Sequence, residues 1–407
     1  MEPAWFRPRT YRHFDCPVGL PFAQKVLSPD FVKRHSWSPL ISYIKRQKRY
    51  KPKEHRTVFK DRTIMYASHR DACIFSYYAY QLTEILDVRY KKHGLSDAVI
   101  AYRALGKSNY HFSSHVRDFA RGHSPCVSLC FDVTGFFDNL DHRLLKRQLI
   151  DAIGRESLPD DWYAVFKAAT KFRHIPRVIL EDNPTIHARL QAEAREPIAT
   201  MAEIKAAAIS IEENTSGFGI PQGTPISAVF SNLYMWELDL AMVKACADYG
   251  AFYQRYSDDI LFICSPTAEA ALIEVLVSTL RALKLELKDE KTVRAVYDPR
   301  TPQTFQYLGF NIAPDGILIR PGSLARQWRK ARRCLRRTKK IGAAAIEAGT
   351  ADKIYTKKLR KRLLPTGARN FSTYARRSAK EFGSKKIIRQ VRRLERMVEN
   401  ALDSMKS

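Results

Sequence analysis

Long apolar runs are missing from this sequence. The longest, such as Ile260 to Ile263, are far too short to cross a bilayer, and Met1 to Thr10 lacks the apolar core of a signal peptide. CxxC pairs and Cys/His zinc spacings are also absent, so the seven cysteines are expected to be reduced and mostly buried. These absences predict a cytoplasmic protein with no membrane partner.

Acidic residues are scarce relative to basic ones. The chain carries 69 Lys and Arg against 42 Asp and Glu, which gives a formal charge of +27. Residues 321–407 hold 26 of the basic residues and 6 of the acidic ones, or +20 of that total. An excess this one-sided favours phosphate binding over a merely solvated helix face, and it predicts a nucleic-acid partner.

The spacing of apolar residues predicts short strands mixed with helices. Residues 1–50 contain six prolines and are expected to be irregular, and residues 155–215 are expected to form polar helices. The predicted elements are paired strands in 55–66, a helix over 69–90, a strand over 127–133, a helix capped by Asp141, a helix after Thr224, a hairpin over 251–264, a helix over 268–283, a hairpin over 305–319 and basic helices broken at 365–367.

Three acidic residues stand at the ends of predicted strands. Asp258 and Asp259 are adjacent in the hairpin over 251–264, and Asp132 ends the strand over 127–133. Clustered carboxylates between apolar strands repel one another, and a bound cation relieves that repulsion. An isolated Asp-Asp pair is more often a plain turn or cap, and a single acid at the end of a strand is more often an edge residue.

Five segments occur in an order that resembles the reverse transcriptase palm. The segments FDVTGFFDNLDH, GFGIPQGTPISAVFSNLYM, FYQRYSDDILF, LKLELKDEKT and FQYLGFNI are similar to motifs A, B, C, D and E of that family, between about residues 127 and 312. The upstream segment HRTVFKDRTI resembles the fingers region. The resemblance implies an α+β right-hand polymerase with fingers, an antiparallel-sheet palm and a helical thumb.

The resemblance also implies a role for each matching residue. Asp132, Asp258 and Asp259 would hold two Mg²⁺ ions for nucleotidyl transfer. Phe137 would exclude the 2′-hydroxyl of a ribonucleotide, whereas Phe136 is expected in the core. The remaining nucleotide-binding candidates are Gln222 beside Gly223, Arg62, Lys60 and, from motif D, Lys291.

The family also implies boundaries and partners. An RNA template, dNTPs and a DNA product are expected, and the RNA-binding candidates are Arg326, Arg329, Lys330, Arg333, Arg336 and Arg337. The expected regions are an N-terminal region with fingers over 1–126, the first part of the palm over 127–150, a helical insertion over 151–215, the second part of the palm with the primer grip over 216–319, and a basic helical thumb over 320–407.

Within the family, the chain most resembles bacterial defence-associated (antiviral) reverse transcriptases that work with a structured noncoding RNA. HSWSPLISYIKRQKRYKPK and AVIAYRALGKSN carry that likeness. Retron enzymes are the next nearest. Three other activities remain open: an RNA-templated RNA polymerase, a template-independent nucleotidyl transferase and a non-catalytic, maturase-like RNA-binding protein.

Overall fold

The structure is a computed structural model that describes residues 3–51, 55–192, 196–288, 292–366 and 369–405. Its helices are α1 Leu20–Val26, α2 Pro29–Lys33, α3 His69–Lys92, α4 Asn109–Gly122, α5 His142–Ile153, α6 Asp160–Thr170, α7 Arg177–Asp182, α8 Pro184–Gln191, α9 Met201–Ala206, α10 Pro225–Tyr234, α11 Trp236–Asp248, α12 Glu269–Ala282, α13 Pro321–Glu347, α14 Lys357–Leu363, α15 Phe371–Phe382 and α16 Lys385–Asp403. Its strands are β1 Leu40–Ile44, β2 Gln47–Lys51, β3 Arg56–Lys60, β4 Thr63–Tyr66, β5 Cys126–Asp132, β6 Arg173–Pro176, β7 Glu212–Glu213, β8 Phe252–Tyr256, β9 Asp259–Cys264, β10 Val293–Tyr297, β11 Phe305–Tyr307, β12 Phe310–Ala313 and β13 Gly316–Ile319. This mixture confirms the predicted α+β class.

A four-stranded antiparallel sheet lies at the centre of the fold, in the order β10-β5-β9-β8. Both of its faces are covered, which explains why β9 is apolar at nearly every position. Because side chains alternate along a strand, Ile260 and Phe262 enter the larger core, formed with α3, α10, α11 and α12. Leu261 and Ile263 enter a second core with α4, α15, α16 and the β11–β13 sheet. The central sheet is therefore fixed from both sides.

The helices at this sheet begin where the sequence predicts, but the single helix expected after Thr224 is divided at Met235 into α10 and α11. The Asp141 carboxylate accepts hydrogen bonds from the backbone N–H groups of Arg143 and Leu144, so it caps α5 as expected. Thr224 precedes Pro225 at the start of α10. The Thr224 hydroxyl pairs with the Ser227 hydroxyl at 2.7 Å instead of with a backbone N–H group.

The N-terminal part departs from the prediction. The expected irregular start holds over residues 3–19, but α1, α2, β1 and β2 lie between Leu20 and Lys51. The two strands expected in 55–66 exist as β3 and β4, but they do not pair with each other. Strand β3 pairs with β2, and β4 pairs with β1 in a separate sheet ordered β4-β1-β6-β7. The expected polar helices of 155–215 are interrupted by β6 and β7.

Four helices, α13 to α16, make up the basic C-terminal region, which we call the basic helices. Their shared core includes Leu335, Leu359, Leu394 and Val398. The expected break near Pro365 separates α14 from α15, and Gly367 of that segment lies outside the described residues. Two further, unexpected breaks separate α13 from α14 and α15 from α16. Across the described ranges, no helix combines the length and the apolar character that crossing a membrane requires.

Candidate active site

The hairpin between β8 and β9 presents an acidic turn, Tyr256–Asp259. Tyr256 pairs with Asp259, so the loop has only two residues, Ser257 and Asp258. Ser257 has a φ of +60°, a conformation that two-residue hairpin loops require and that L-residues rarely adopt. The turn therefore fixes Asp258 at the tip of the hairpin and Asp259 at the start of β9.

The third predicted carboxylate lies next to this turn. In the register of β5 with β9, Asp132 is directly opposite Asp259. Side chains of directly opposed residues share one face of a sheet. The next residue, Val133, donates its backbone N–H to the Asp258 carbonyl at 3.3 Å. The fold thus brings the three predicted acids to neighbouring backbone positions, although two of them are separated from Asp132 by more than 120 residues in sequence.

Carboxylate oxygens are the ligands that Mg²⁺ prefers, so the chemistry of this donor set fits the expected cofactor. Asp132 and Asp258 are half-buried and Asp259 is exposed, which leaves the set accessible from solvent. No group of three His, Cys, Asp or Glu close enough to hold a metal ion occurs within the described part of the chain. The three acids are therefore neighbours along the backbone, but their side chains are not gathered into such a group.

A buried ion pair supports the acidic turn from below. Arg255 and Asp239 are both fully buried, and two hydrogen bonds of 2.7 and 2.6 Å join them. The remaining Arg255 nitrogen, Nη1, donates to the Ser257 carbonyl at 3.0 Å and to Asn232 Oδ1 at 3.2 Å. Although burial lowers the pKa of Arg255, the Asp239 carboxylate raises it above its usual range, so the guanidinium stays charged. The charged Arg255 side chain thus holds the carbonyl of Ser257, the residue with the positive φ.

The segment before α4 packs against the same turn. Arg255 exchanges backbone hydrogen bonds with Ala98 and Ile100, at 2.7 and 3.1 Å, so residues 98–100 extend the sheet beside β8. The Tyr102 hydroxyl lies 3.1 Å from the Ser257 hydroxyl. Burial raises the pKa of Tyr102, and the nearby Asp258 carboxylate raises it further. Tyr102 is therefore a neutral side chain at the edge of the site.

Sequence reasoning missed Arg255, Asp239, Asn232 and Tyr102. One signal was present, because Gln254 and Arg255 interrupt an otherwise apolar strand that had to be buried. The partners carry no such signal, since Asp239 and Asn232 come from two different helices. Only the assembled fold shows that they meet Arg255.

The predicted gate, Phe137, lies in a short 3-10 turn, Phe136–Asp138, directly after β5. Phe136 is buried in the core, as expected, whereas Phe137 is half-buried and its ring meets Phe136 edge-on with centroids 5.4 Å apart. The Phe137 carbonyl accepts a hydrogen bond of 2.8 Å from Ile220 N–H. The turn that follows Asp132 is thus joined to the segment that carries Gln222.

Gln222 and Gly223 contact the N-terminal sheet through their backbone. The Gln222 carbonyl accepts a hydrogen bond from Met65 N–H of β4 at 2.9 Å. Gly223 has a φ of +124°, and a Cβ there would lie 2.6 Å from the Met65 carbonyl oxygen. Only glycine fits at this position.

Two other nucleotide-binding candidates, Lys60 and Arg62, lie where β3 ends and β4 begins. Lys60 ends β3 opposite Gln47, and Arg62 follows it just before β4. The half-buried Arg62 pairs through its backbone with Lys45, at 2.8 and 3.3 Å. Arg62 directly precedes β4, and Met65 of β4 donates its backbone N–H to the Gln222 carbonyl, so Arg62 lies three residues from this contact. Lys291 lies outside the described residues.

The six predicted RNA-binding residues share the exposed face of α13. They are Arg326, Arg329, Lys330, Arg333, Arg336 and Arg337. The opposite face buries Ala331 and Leu335 in the core of the basic helices. The charge of α13 is therefore presented to solvent.

Solved telomerase structures share a distant likeness with this chain. The apo telomerase of Candida tropicalis, truncated at its C-terminal domain, matches 68% of this chain with a TM-score of 0.44 and 13% identity. The telomerase of Candida albicans with a TWJ fragment of telomeric RNA matches 94%, with a TM-score of 0.45 and 12% identity. The chain spans 54% of the first of these proteins and 68% of the second.

The family assignment comes from the sequence. The family model for reverse transcriptase (RNA-dependent DNA polymerase) matches residues 67–312, which is more than half of the chain. That range includes Asp132, Phe137, Gln222 and the acidic turn. The chain belongs to the reverse transcriptase family.

Proposed function

We propose that this chain is an RNA-directed DNA polymerase whose active site is the cluster of Asp132, Asp258 and Asp259. The observation that carries the proposal is the strand register that sets Asp132 opposite Asp259, beside the two-residue turn with Asp258. Nucleotidyl transfer places negative charge on both the attacking and the leaving oxygen, so clustered metal-binding carboxylates suit it.

Two Mg²⁺ ions held by these carboxylates would neutralise the charge on the attacking 3′-oxygen and on the pyrophosphate. Phe137 is proposed to contact the sugar of the incoming nucleotide and to exclude a 2′-hydroxyl. Gln222 would contact that nucleotide or the template base beside it. Arg62, with Lys60, would bind the triphosphate, and Lys291 would assist departure of pyrophosphate.

The proposed roles of the parts of the chain follow the regions expected from the sequence. Residues 1–126 include the fingers, residues 127–150 and 216–319 form the palm around the acidic turn, and residues 151–215 are an insertion. Residues 320–407 form the thumb. The exposed cations of α13 support an RNA-binding role for the thumb, because RNA binding draws most of its affinity from phosphate contacts.

Primer extension tests the activity. The purified chain with an RNA template, a DNA primer and dNTPs is expected to make DNA, and Asp258→Asn is expected to make it at least about 10³-fold more slowly. Extension with NTPs instead would identify an RNA polymerase, and extension without template would identify a template-independent transferase. Absence of synthesis by the folded wild-type chain under all three conditions would favour the maturase-like alternative.

We also propose that the template is part of a structured noncoding RNA bound by the thumb, in bacterial antiviral defence. The likeness of the N-terminal half to defence-associated enzymes motivates this subtype. Sequencing the RNA that co-purifies, together with the DNA made in cells, tests it. One dominant RNA with a matching DNA product is expected. A random mixture of RNAs would contradict a dedicated partner.

A further inference from the structure

A cavity of about 410 Å³ opens among the basic helices, apart from the acidic turn. It lies between α13, the end of α14, the start of α15 and α16. Its floor is apolar and includes the ring of Phe371, which is half-buried. The floor residues are Ala331, Leu363, Phe371, Leu394 and Val398.

The rim of this cavity is cationic. No carboxylate is among its lining residues, and the five cations show no ion pair in the described part of the chain. They are all exposed at the rim, and they are Lys330, Lys358, Lys361, Arg362 and Arg369. Four of these five lie outside the set of RNA-binding residues predicted from the sequence.

Three acids of the basic helices pair with cations that do not line the cavity. Glu395 pairs with Arg376 at 2.5 Å, and Asp403 pairs with Arg360 at 3.3 Å. Asp352 pairs with its neighbour Lys353. Since five cations converge with no acid between them, the rim attracts a polyanion.

The polar side chains of the lining separate into two groups. Asn370 and Ser372 are used internally: Asn370 donates to the Leu364 carbonyl at 2.7 Å, and Ser372 donates to the Leu363 carbonyl at 2.9 Å. The side-chain amide of Gln327 shows no hydrogen bond to any described residue. Its amide can both donate to and accept from the edge of a base.

We propose that this cavity binds one unpaired nucleotide of the RNA, with the base against the apolar floor and Phe371 and the phosphates on the cationic rim. An apolar floor suits a base that has left its stack, and rim cations suit the adjoining phosphates. A paired base is held in its helix and cannot enter, so the site selects single-stranded positions. The proposal rests on the RNA-binding role proposed above for these helices.

Binding of short labelled RNAs, measured without dNTPs, tests the cavity. The double variant Lys361→Ala/Arg362→Ala removes two rim cations. The matched control Lys339→Ala/Lys340→Ala removes two exposed cations from α13 outside the cavity lining. Affinity for a single-stranded RNA is expected to fall about tenfold in the rim variant and about twofold in the control. Affinity for a blunt RNA duplex is expected to fall equally little in both.

A second variant tests the shape of the cavity without changing its charge. Gln327→Trp places a large ring into the cavity, and it is expected to weaken single-strand binding about tenfold while duplex binding stays unchanged. Equal losses in the rim variant and the control, or wild-type single-strand affinity in Gln327→Trp, would overturn the proposal. Efficient competition by free ATP at the same site would also overturn it, in favour of a nucleotide site. Because no synthesis is measured, these outcomes are independent of the polymerase assignment.

Discussion

The acidic turn and the basic helices use charge in opposite ways. At the turn, a fully buried Arg255–Asp239 pair lies beneath the three carboxylates, and each nitrogen of the guanidinium has an acceptor. In α13, by contrast, the predicted RNA-binding cations are exposed, and the packed face is apolar. At the acidic turn, buried polar contacts hold a few carboxylate oxygens in position. On α13, the charges are distributed over an exposed surface.

This difference follows from what each region is proposed to bind. Charge stabilisation during nucleotidyl transfer depends on where the carboxylates are, so rigid support is useful despite the cost of burying an ion pair. Attraction of an RNA backbone depends mainly on the number of cations. Removal of a single charge should therefore have a large effect at the turn and a small effect on the exposed face of α13.

The largest effect is expected from Asp258→Asn. The substitution keeps the shape of the side chain but removes a charged ligand, so DNA synthesis should fall about 10³-fold or more. The melting temperature should hold or rise, because a like-charge repulsion is relieved. Single-turnover primer extension measures the rate, and Asp248→Asn, at the exposed end of α11, is the matched control. Normal synthesis by the folded Asp258→Asn chain would show that the metal site is misassigned. Asp132→Asn should behave in the same way.

The next effect concerns stability. Arg255→Met leaves Asp239 as an unpaired buried charge and removes the donor to the Ser257 carbonyl, so the free energy of unfolding should fall by about 3–5 kcal/mol. The double variant Arg255→Met/Asp239→Leu removes both charges and should recover part of that loss. Urea unfolding of the two variants measures the difference. A single variant as stable as the wild type would mean that the buried pair does not support the turn.

Sugar selectivity should change by a smaller factor. Phe137→Ala removes the ring from the half-buried position after Asp132, so ribonucleotide incorporation relative to deoxyribonucleotide should rise about tenfold. Single-nucleotide incorporation kinetics give this ratio. Phe136→Leu is the comparison variant, and it should lower stability without changing sugar selectivity because Phe136 lies in the core. An unchanged ratio in Phe137→Ala would assign Phe137 to packing alone.

The smallest effect is expected on the basic helices. Arg333→Ala removes one exposed cation, so RNA affinity should fall about two- to threefold, and the slope of log affinity against log salt should fall by about one. Titrations at several salt concentrations measure both quantities. A loss of RNA affinity as large as the loss of synthesis expected for Asp258→Asn would contradict the difference between the two regions. It would mean that α13 binds RNA through a few specific contacts.

Local sequence patterns predicted most of the acidic turn, but they predicted neither the strand pairing of the N-terminal part nor the buried ion pair beneath the turn. Strand β5, the β8–β9 hairpin and the Asp141 cap follow from local patterns, so they were correctly predicted. The pairing of β3 with β2 and of β4 with β1 depends on partners in the proline-rich start of the chain, which carries no clear strand pattern. The Arg255–Asp239 pair joins a strand to a helix, and no local pattern specifies that contact.

The contact between Gly223 and β4 has a consequence for which substitutions the protein tolerates. Backbone atoms alone make the hydrogen bond between Gln222 and Met65, so the side chains at 65 and 222 can change without removing it. Position 223 has no such freedom, because any Cβ would overlap the Met65 carbonyl oxygen. In a library of all single substitutions selected for folding, position 223 should accept only glycine. Position 65, whose backbone contacts it, should accept many residues.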